Sequence, residues 1–258
     1  MKRASFTIFK AVVHALVLRE IQTRFGSQKL GYLWAIVDPM AQIIVFASIK
    51  ALLFGGSMPG IDYPVFLATG FLAYDLFKHI TLRSMDAFKA NKGLFVYKQV
   101  KPFDTLVART IIEVLITSVA TTIFLCIGLY FGFDLEVKDL NMVILGFLWI
   151  ALFGFSLGIL FAVLATFYEN FAKIIRLIFM PLMFVSALFY TVESLPPIAR
   201  DFILLNPVIH FIELIHGSYF PELETTYVDF TYMTFWTLIP LYFGLWLYKR
   251  SEQKIVMS

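Results

Sequence analysis

Long apolar runs, cut by short charged or proline-containing breaks, dominate this chain. A helix needs roughly 20 apolar residues to cross about 30 Å of hydrocarbon. Six runs approach that length: Leu33–Phe54, Pro64–Ile80, Leu106–Phe131, Met142–Phe167, Ile174–Tyr190 and Val228–Tyr248. The second is the weakest, because Asp75 and Lys78 interrupt it. The fifth is short and contains Pro181. Ahead of the first run, Phe9, Val12, Val13, Leu16, Val17 and Ile21 recur at helical spacing between basic residues. That pattern predicts an amphipathic helix over 6–21, lying on the membrane surface. It does not read as a signal peptide, since Lys10, His14, Arg19 and Glu20 break the run and no small-residue cleavage site follows.

One stretch fits neither class. Tyr190–Phe220 reads YTVESLPPIARDFILLNPVIHFIELIHGSYF, too apolar for a solvated loop and too interrupted for a spanning helix. Ser194 is expected to cap a helix opened by Pro196 and Pro197, and Asn206 a second one with Pro207 in its first turn, ending near Gly217. The two pieces would be about 13 Å and about 18 Å long, so neither crosses. Their apolar residues (Ile198, Phe202, Leu205, Val208, Phe211, Ile212, Ile215) call for burial. A helix pair over 195–217, dipping into one leaflet with its turn held against protein, meets that demand; the alternative is a loop resting on the surface.

Composition agrees with a membrane protein. Of 258 residues, 60% are hydrophobic, 17% aromatic and only 15% charged, where a soluble domain carries about 25% charged residues. The single Cys126 lies in an apolar run, so no disulfide framework or thiolate metal cluster is expected. No long linker, low-complexity segment or internal repeat divides the chain. The placement of charge orients it. With six spans, sixteen lysines and arginines fall on one side, in the N-terminal arm, in 83–101, at Lys173 and Arg176, and in the tail; only Lys138 and Arg200 fall on the other. The positive-inside rule then puts both termini in the cytoplasm.

The sequence carries little catalytic chemistry. No G-x-x-x-x-G-K-[ST] phosphate loop is present, so nucleotide, if used, belongs to another subunit. Asp75 and Glu113 lie in or near spans, where an unpaired charge costs about 2.5–3.5 kcal/mol. Pairing with Lys78 and with Arg109, at i,i+4 from Glu113, is the simplest reading. Glu213-x-x-His216 has the spacing of a di-iron carboxylate ligand pair, but such a site needs two of these motifs and two further glutamates, and one motif leaves those glutamates unassigned. No metal is expected there, and both residues read as a polar face of the second short helix, near Arg200, Asp201 and His210.

Three runs, in this order, resemble ABC-2-type exporter permeases. REIQTRFGSQKLGYLWAIVDPMAQ is similar to that family's approach to its first span; FKANKGLFVYKQVKPFDTLVARTIIE to its coupling segment; ALFYTVESLPPIARDFILLNPVIHFIEL to the segment before its last span. Within the family, VKPFDTLVAR is most similar to permeases that export group 2 capsular polysaccharide. The resemblance covers most of the chain and implies one transmembrane domain over 1–258, all-α, with six spans, an interface helix, a cytoplasmic coupling helix and two re-entrant gate helices. It implies that Ser84–Lys101 seats in a groove of an ATPase through Asn91, Lys92, Gly93, Leu94, Phe95 and Tyr97, with Leu94, Phe95 and Tyr97 as apolar knobs. A positive-inside anchor with no partner is the competing reading of that segment. The gate helices would use Glu193, Pro196, Pro197, Arg200, Asp201, Asn206, Pro207, His210 and Glu213.

The same resemblance implies that the first and fifth spans line the route, where aromatic faces let a sugar chain slide. Trp34, Phe46, Phe179, Phe184, Phe189 and Tyr190 are the candidates, with lipid-facing or packing roles as the alternative. Arg19, Arg24 and Lys29 either receive a lipid phosphate or acidic sugar, or are positive-inside anchors. The implied assembly is a permease of the bacterial inner membrane that exports a lipid-linked acidic capsular polysaccharide. Its partners would be a second copy, two ATP-binding cassette subunits carrying ATP and Mg, a periplasmic adaptor and an outer-membrane channel, with no nucleic acid. Export of another glycan (O-antigen, teichoic acid) or a small molecule stays open, as does an ion-coupled secondary transporter. A membrane enzyme finds no convergent catalytic set.

Overall fold

The computed structural model describes residues 6–25, 31–54 and 60–257. Ten α-helices are seen among them, and no strand: α1 (Phe6–Phe25), α2 (Gly31–Phe54), α3 (Tyr63–Met85), α4 (Ala87–Ala90), α5 (Pro102–Phe131), α6 (Leu140–Phe167), α7 (Glu169–Phe184), α8 (Pro197–Ile203), α9 (Pro207–Tyr219) and α10 (Phe230–Met257). Three of them, α3, α5 and α6, are each long and apolar enough to cross a membrane, and α2 holds a shorter apolar stretch, Pro39–Lys50. Of the sequence-predicted residues, Lys29 and the side chain of Trp34 lie outside the described residues.

Most predicted runs correspond to helices, with shifted ends. The second run continues past Ile80 to Met85, and the sixth past Tyr248 to Met257. The fifth is the main correction: its helix starts earlier, at Glu169, and stops at Phe184, with Pro181 in its last turn. The remainder to Tyr190 is a set of tight turns, in which Ala187 sits at φ 56°, a left-handed conformation that L-residues avoid. At about 24 Å, α7 alone falls short of a hydrocarbon core of about 30 Å.

The least apolar of these three long helices, α3, occupies the middle of the bundle. Eighteen of its residues are buried, which explains how it tolerates charge: Asp75 faces protein, 2.5 Å from Lys78. Three parallel rings join it to its neighbours: Phe77 of α3 stacks on Phe153 of α6 at 5.1 Å, and Phe153 on Phe211 of α9 at 5.1 Å. All three rings are within 1% of full burial. In lipid, close packing rather than the hydrophobic effect holds helices together, and small residues permit it. Gly158 of α6 lies against Ser84 of α3 so tightly that a Cβ would stand 2.7 Å from the serine Cβ.

The elements have clear stops. The α5 C-terminus closes on Gly132, at φ 73°, with the Phe133 N–H bonded to the Gly128 carbonyl. The α6 N-terminus is capped by Asp139, whose carboxylate accepts the Asn141 and Met142 N–H groups. The loops gather into two ends. At one, residues 84–101 meet the tail of α10 through Phe88–Tyr248 and Lys101–Glu252, and Arg176 of α7 reaches Asp86. At the other, the Asp134 N–H donates to Asp62, the Lys138 N–H to the Tyr219 carbonyl, and the Tyr63 hydroxyl to the Phe189 carbonyl. The lysine- and arginine-rich loops converge on the first end.

Candidate transport site

At the basic end, Asp86 separates α3 from α4, and Asn91 ends α4 before a 3-10 turn over Lys92–Leu94. Pro102 then opens α5, whose first turn is capped by Asp104, accepting the Lys101 N–H at 2.9 Å. The segment is held from inside by Phe88 and Phe95, which pack with Leu106, Ile159, Val163 and Ile255. Asn91 is buried: its amide donates to the Ala87 carbonyl, and its oxygen accepts from Arg19 at 2.8 Å. Leu94 is half-buried against α1, whereas Lys92, Gly93, Val96 and Tyr97 face outward. The three expected knobs therefore have three different placements. Phe95 faces the core because the turn after Lys92 rotates it inward, and the outermost apolar residues are Val96 and Tyr97. Gly93 has a negative φ and no atom within 4 Å of where a Cβ would stand, so nothing steric requires glycine there.

Helix α1 packs Val13 and Leu16 on Ala108 of α5, and its apolar stripe is the buried one. Its charged face is tied across the bundle. Arg24 meets Glu113 at 2.5 Å, with Arg83 and His79 each 3.9 Å from the same carboxylate. Arg109 meets Glu20 at 3.1 Å and donates to the Arg83 carbonyl. The expected Arg109–Glu113 pairing along one helix gives way to pairs between helices, because α1 brings its own arginine and glutamate to the same place. Arg19 and Arg24, expected at the entrance of the path, are thus both engaged with protein.

Beside residues 84–101 lies a cleft of about 630 Å³ between α4, α6 and α7. Lys89, Lys92, Lys173 and Arg176 line it, with Asp86 bonded to Arg176 through both oxygens at 2.7 Å. Sequence reasoning did not gather these residues. They come from segments far apart in the chain, and the only signal was a shared excess of positive charge.

At the opposite end, Asn206 caps α9 as expected, accepting the Val208 N–H at 3.0 Å. Its amide also ties the turn to the end of α7, through the Val185 carbonyl and the Ser186 hydroxyl. Ser194 does not cap α8. It lies in a 3-10 turn, donating to the Thr191 carbonyl, and Pro196 takes the N-cap place. Every residue of α9 from Val208 to Tyr219 is buried, so the expected polar face does not form. Instead Glu213 and His216 are enclosed, the latter 3.2 Å from the Phe66 carbonyl and stacked on the Phe66 ring. His210 bridges the Leu204 and Tyr227 carbonyls. Arg200 binds the Tyr227 hydroxyl and the Glu193 and Leu195 carbonyls, while Glu193, Pro196, Pro197 and Asp201 are exposed. The apolar residues of α8 and of the turn after it differ from expectation as well: Ile198, Phe202 and Leu205 are exposed.

Four of the aromatic candidates occupy one region. Phe46 of α2 lies 4.6 Å from Phe189 and 6.5 Å from Phe184, and Phe71 of α3 completes the group at 5.5 Å from Phe46 and from Phe189. Tyr190 is half-buried next to Phe189. Phe179 is buried apart from them, against Phe77, and its carbonyl accepts the Tyr74 hydroxyl.

The model of the family described as ABC-2 type transporter matches residues 11–220. The polysialic acid transport protein KpsM of Escherichia coli is 33% identical over 258 residues, all of both chains. The capsule polysaccharide export inner-membrane protein CtrC of Neisseria meningitidis serogroup B is 27% identical over 241 residues, 93% of this chain and 91% of its own. The corresponding protein BexB of Haemophilus influenzae is 26% identical over 253 residues, 98% of this chain and 96% of its own. With its all-helical bundle and apolar crossing helices, the chain belongs to the ABC-2 type transporter family.

Proposed function

We propose that this chain is the membrane-spanning permease subunit of an ABC exporter, moving a lipid-linked acidic capsular polysaccharide across the bacterial inner membrane. The observation that carries the reading is end-to-end similarity to KpsM, with no segment of either chain left over. In this reading α2, α3, α5, α6, α7 with its following turns, and α10 make six crossings, and both termini are cytoplasmic. The convergence of the basic loops at one end supports that orientation. The chain performs no catalysis. ATP and Mg belong to two partner subunits, each docked beneath a coupling segment.

Six crossings are too few to surround a polymer, so two copies pair, with the route between them. The exposed apolar faces of α2 (Ile44, Val45, Leu52) and α7 (Ile174, Leu177, Met180) supply the surface. ATP-driven movement pushes on Val96 and Tyr97, and the buried Phe88 and Phe95 pass it to α5, α6 and α10 as a rigid body. Phe46, Phe184 and Phe189 offer ring faces to the sugar chain. The α8–α9 unit forms the outer gate, with α9 fixed in the bundle and α8 as the part that swings. A periplasmic adaptor and an outer-membrane channel receive the product. Arg19 and Arg24 serve as ties for α1, and the cleft of Lys89, Lys173 and Arg176 receives the anionic end of the substrate.

Co-purification tests the coupling. The tagged chain should bring down its ATPase subunit from detergent extracts, and Val96→Asp with Tyr97→Asp should abolish this while leaving the chain helical and monodisperse. An ATPase recovered undiminished with the double variant would place the coupling surface elsewhere.

A further inference from the structure

A groove of about 370 Å³ runs between α3, α5 and α6, toward the end of the bundle opposite residues 84–101. Along α6 it extends from Leu140 to Ala151, and along α5 from Val114 to Leu125. Each distance is about 16 Å at 1.5 Å per residue. That is the depth of one leaflet, half of a hydrocarbon core of about 30 Å. The volume admits roughly a dozen methylenes, if each takes about the 30 Å³ of a liquid water. The lips, Leu125, Ile144 and Leu148, are exposed, so the groove opens sideways.

Its walls are apolar in effect. The hydroxyls of Thr69, Ser118 and Thr121 are spent on backbone carbonyls of their own helices. Two hydroxyls are not, those of the half-buried Thr117 and of Tyr219. Tyr219, 6% exposed, lines the groove, and its hydroxyl is sealed from solvent without a hydrogen-bond partner. A buried hydroxyl left unsatisfied is costly, so a ligand that offers an acceptor at this depth would be favoured. The loop above the mouth carries the exposed acids Asp134, Glu136 and Asp139 against Lys138, and Lys138 is bonded to the Leu223 carbonyl. That rim suits a headgroup with an ammonium and disfavours a purely anionic one.

We propose that this groove holds one acyl chain of a zwitterionic aminophospholipid from the bilayer, with an ester oxygen accepting from Tyr219 and the headgroup ammonium facing the acidic loop. The seated chain fills the gap between α5 and α6, and so wedges these two helices on α3. The ligand is a resident membrane lipid, distinct from the exported glycolipid.

The test uses the full chain with its ATPase subunit in nanodiscs containing phosphatidylethanolamine with a diazirine midway along one acyl chain, or phosphatidylglycerol with the same chain. After irradiation, label should concentrate on 114–125 and 140–151, and more with the ethanolamine lipid than with the glycerol lipid. Thr121→Phe, which fills the groove, should remove it. The conservative Tyr219→Phe should lower it about fivefold, the weight of one hydrogen bond. Label spread evenly over α2, α7 and α10, equal labelling by the two headgroups, or full labelling in Thr121→Phe or Tyr219→Phe would overturn the proposal. So would displacement of the label by the exported glycolipid at equimolar concentration, which would make the groove a substrate site.

Discussion

Replacing Glu113 by glutamine keeps the shape of an enclosed acid at the basic end and removes its charge. The Glu113 side chain is only 3% exposed, and it draws Arg24 to 2.5 Å with Arg83 and His79 at 3.9 Å. Without the carboxylate, Arg24 and Arg83 are left crowded in a partly desolvated pocket. Removing one partner of a buried pair costs about 3–5 kcal/mol. Arg24 is 17% exposed and a glutamine oxygen can still accept one bond, so the low end, about 3 kcal/mol, is expected. For a chain of this size each kcal/mol moves the melting temperature by about 2–4 °C, giving a drop of roughly 6–12 °C. Thermal unfolding in detergent, followed by circular dichroism, measures it. A cycle with Arg24→Gln should return a coupling of about 1–3 kcal/mol. A melting temperature unchanged in both single variants, with coupling near zero, would refute the claim that this cluster pins α1 to α5.

Other substitutions separate surface from core. Phe95→Asp should destabilise the whole basic end, by about 3 kcal/mol or more, whereas Gly93→Ala should leave both stability and export unchanged; melting curves and an export assay distinguish them. Gly158→Val should cost about 1–3 kcal/mol by forcing α6 away from Ser84, seen as a lower melting temperature. Asn206→Ala should cost about 1 kcal/mol as a lost cap and raise the proteolytic sensitivity of the turn before α9. Phe46→Ala with Phe189→Ala should slow export while ATP hydrolysis continues, and unchanged export would remove these rings from the path.

Local grammar was legible in the sequence. Asn206 followed by Pro207 is a helix start whatever surrounds it, and Asp75 with Lys78 pair through one turn of their own helix. The apolar stripe of α1 likewise named the residues that pack. What the sequence hid depends on which helix lies where. A charged run such as α3 scores poorly as a span, yet it is the centre of the bundle because its charges face protein. Glu113 has an arginine at the right spacing on its own helix, and nothing in the pattern reveals that α1 delivers a better-placed one. Phe95 and Tyr97 are equally aromatic neighbours in one loop, and only the rotation of the 3-10 turn decides which is core and which is surface. Ser194 had the right residue type for a cap, but Pro196 and Pro197 fix the chain two residues later. The basic cleft and the lateral groove are assembled from distant segments, so no local pattern could disclose them.

Transport in inverted inner-membrane vesicles containing this chain and its ATPase subunit tests the account at its centre. Acidic lipid-linked polysaccharide added outside should become protected from a glycan-degrading enzyme only when ATP and Mg are supplied, and collapsing the proton and sodium gradients should leave that protection unchanged. Protection driven by an ion gradient without nucleotide, or none with ATP in a complex that hydrolyses it, would contradict the account.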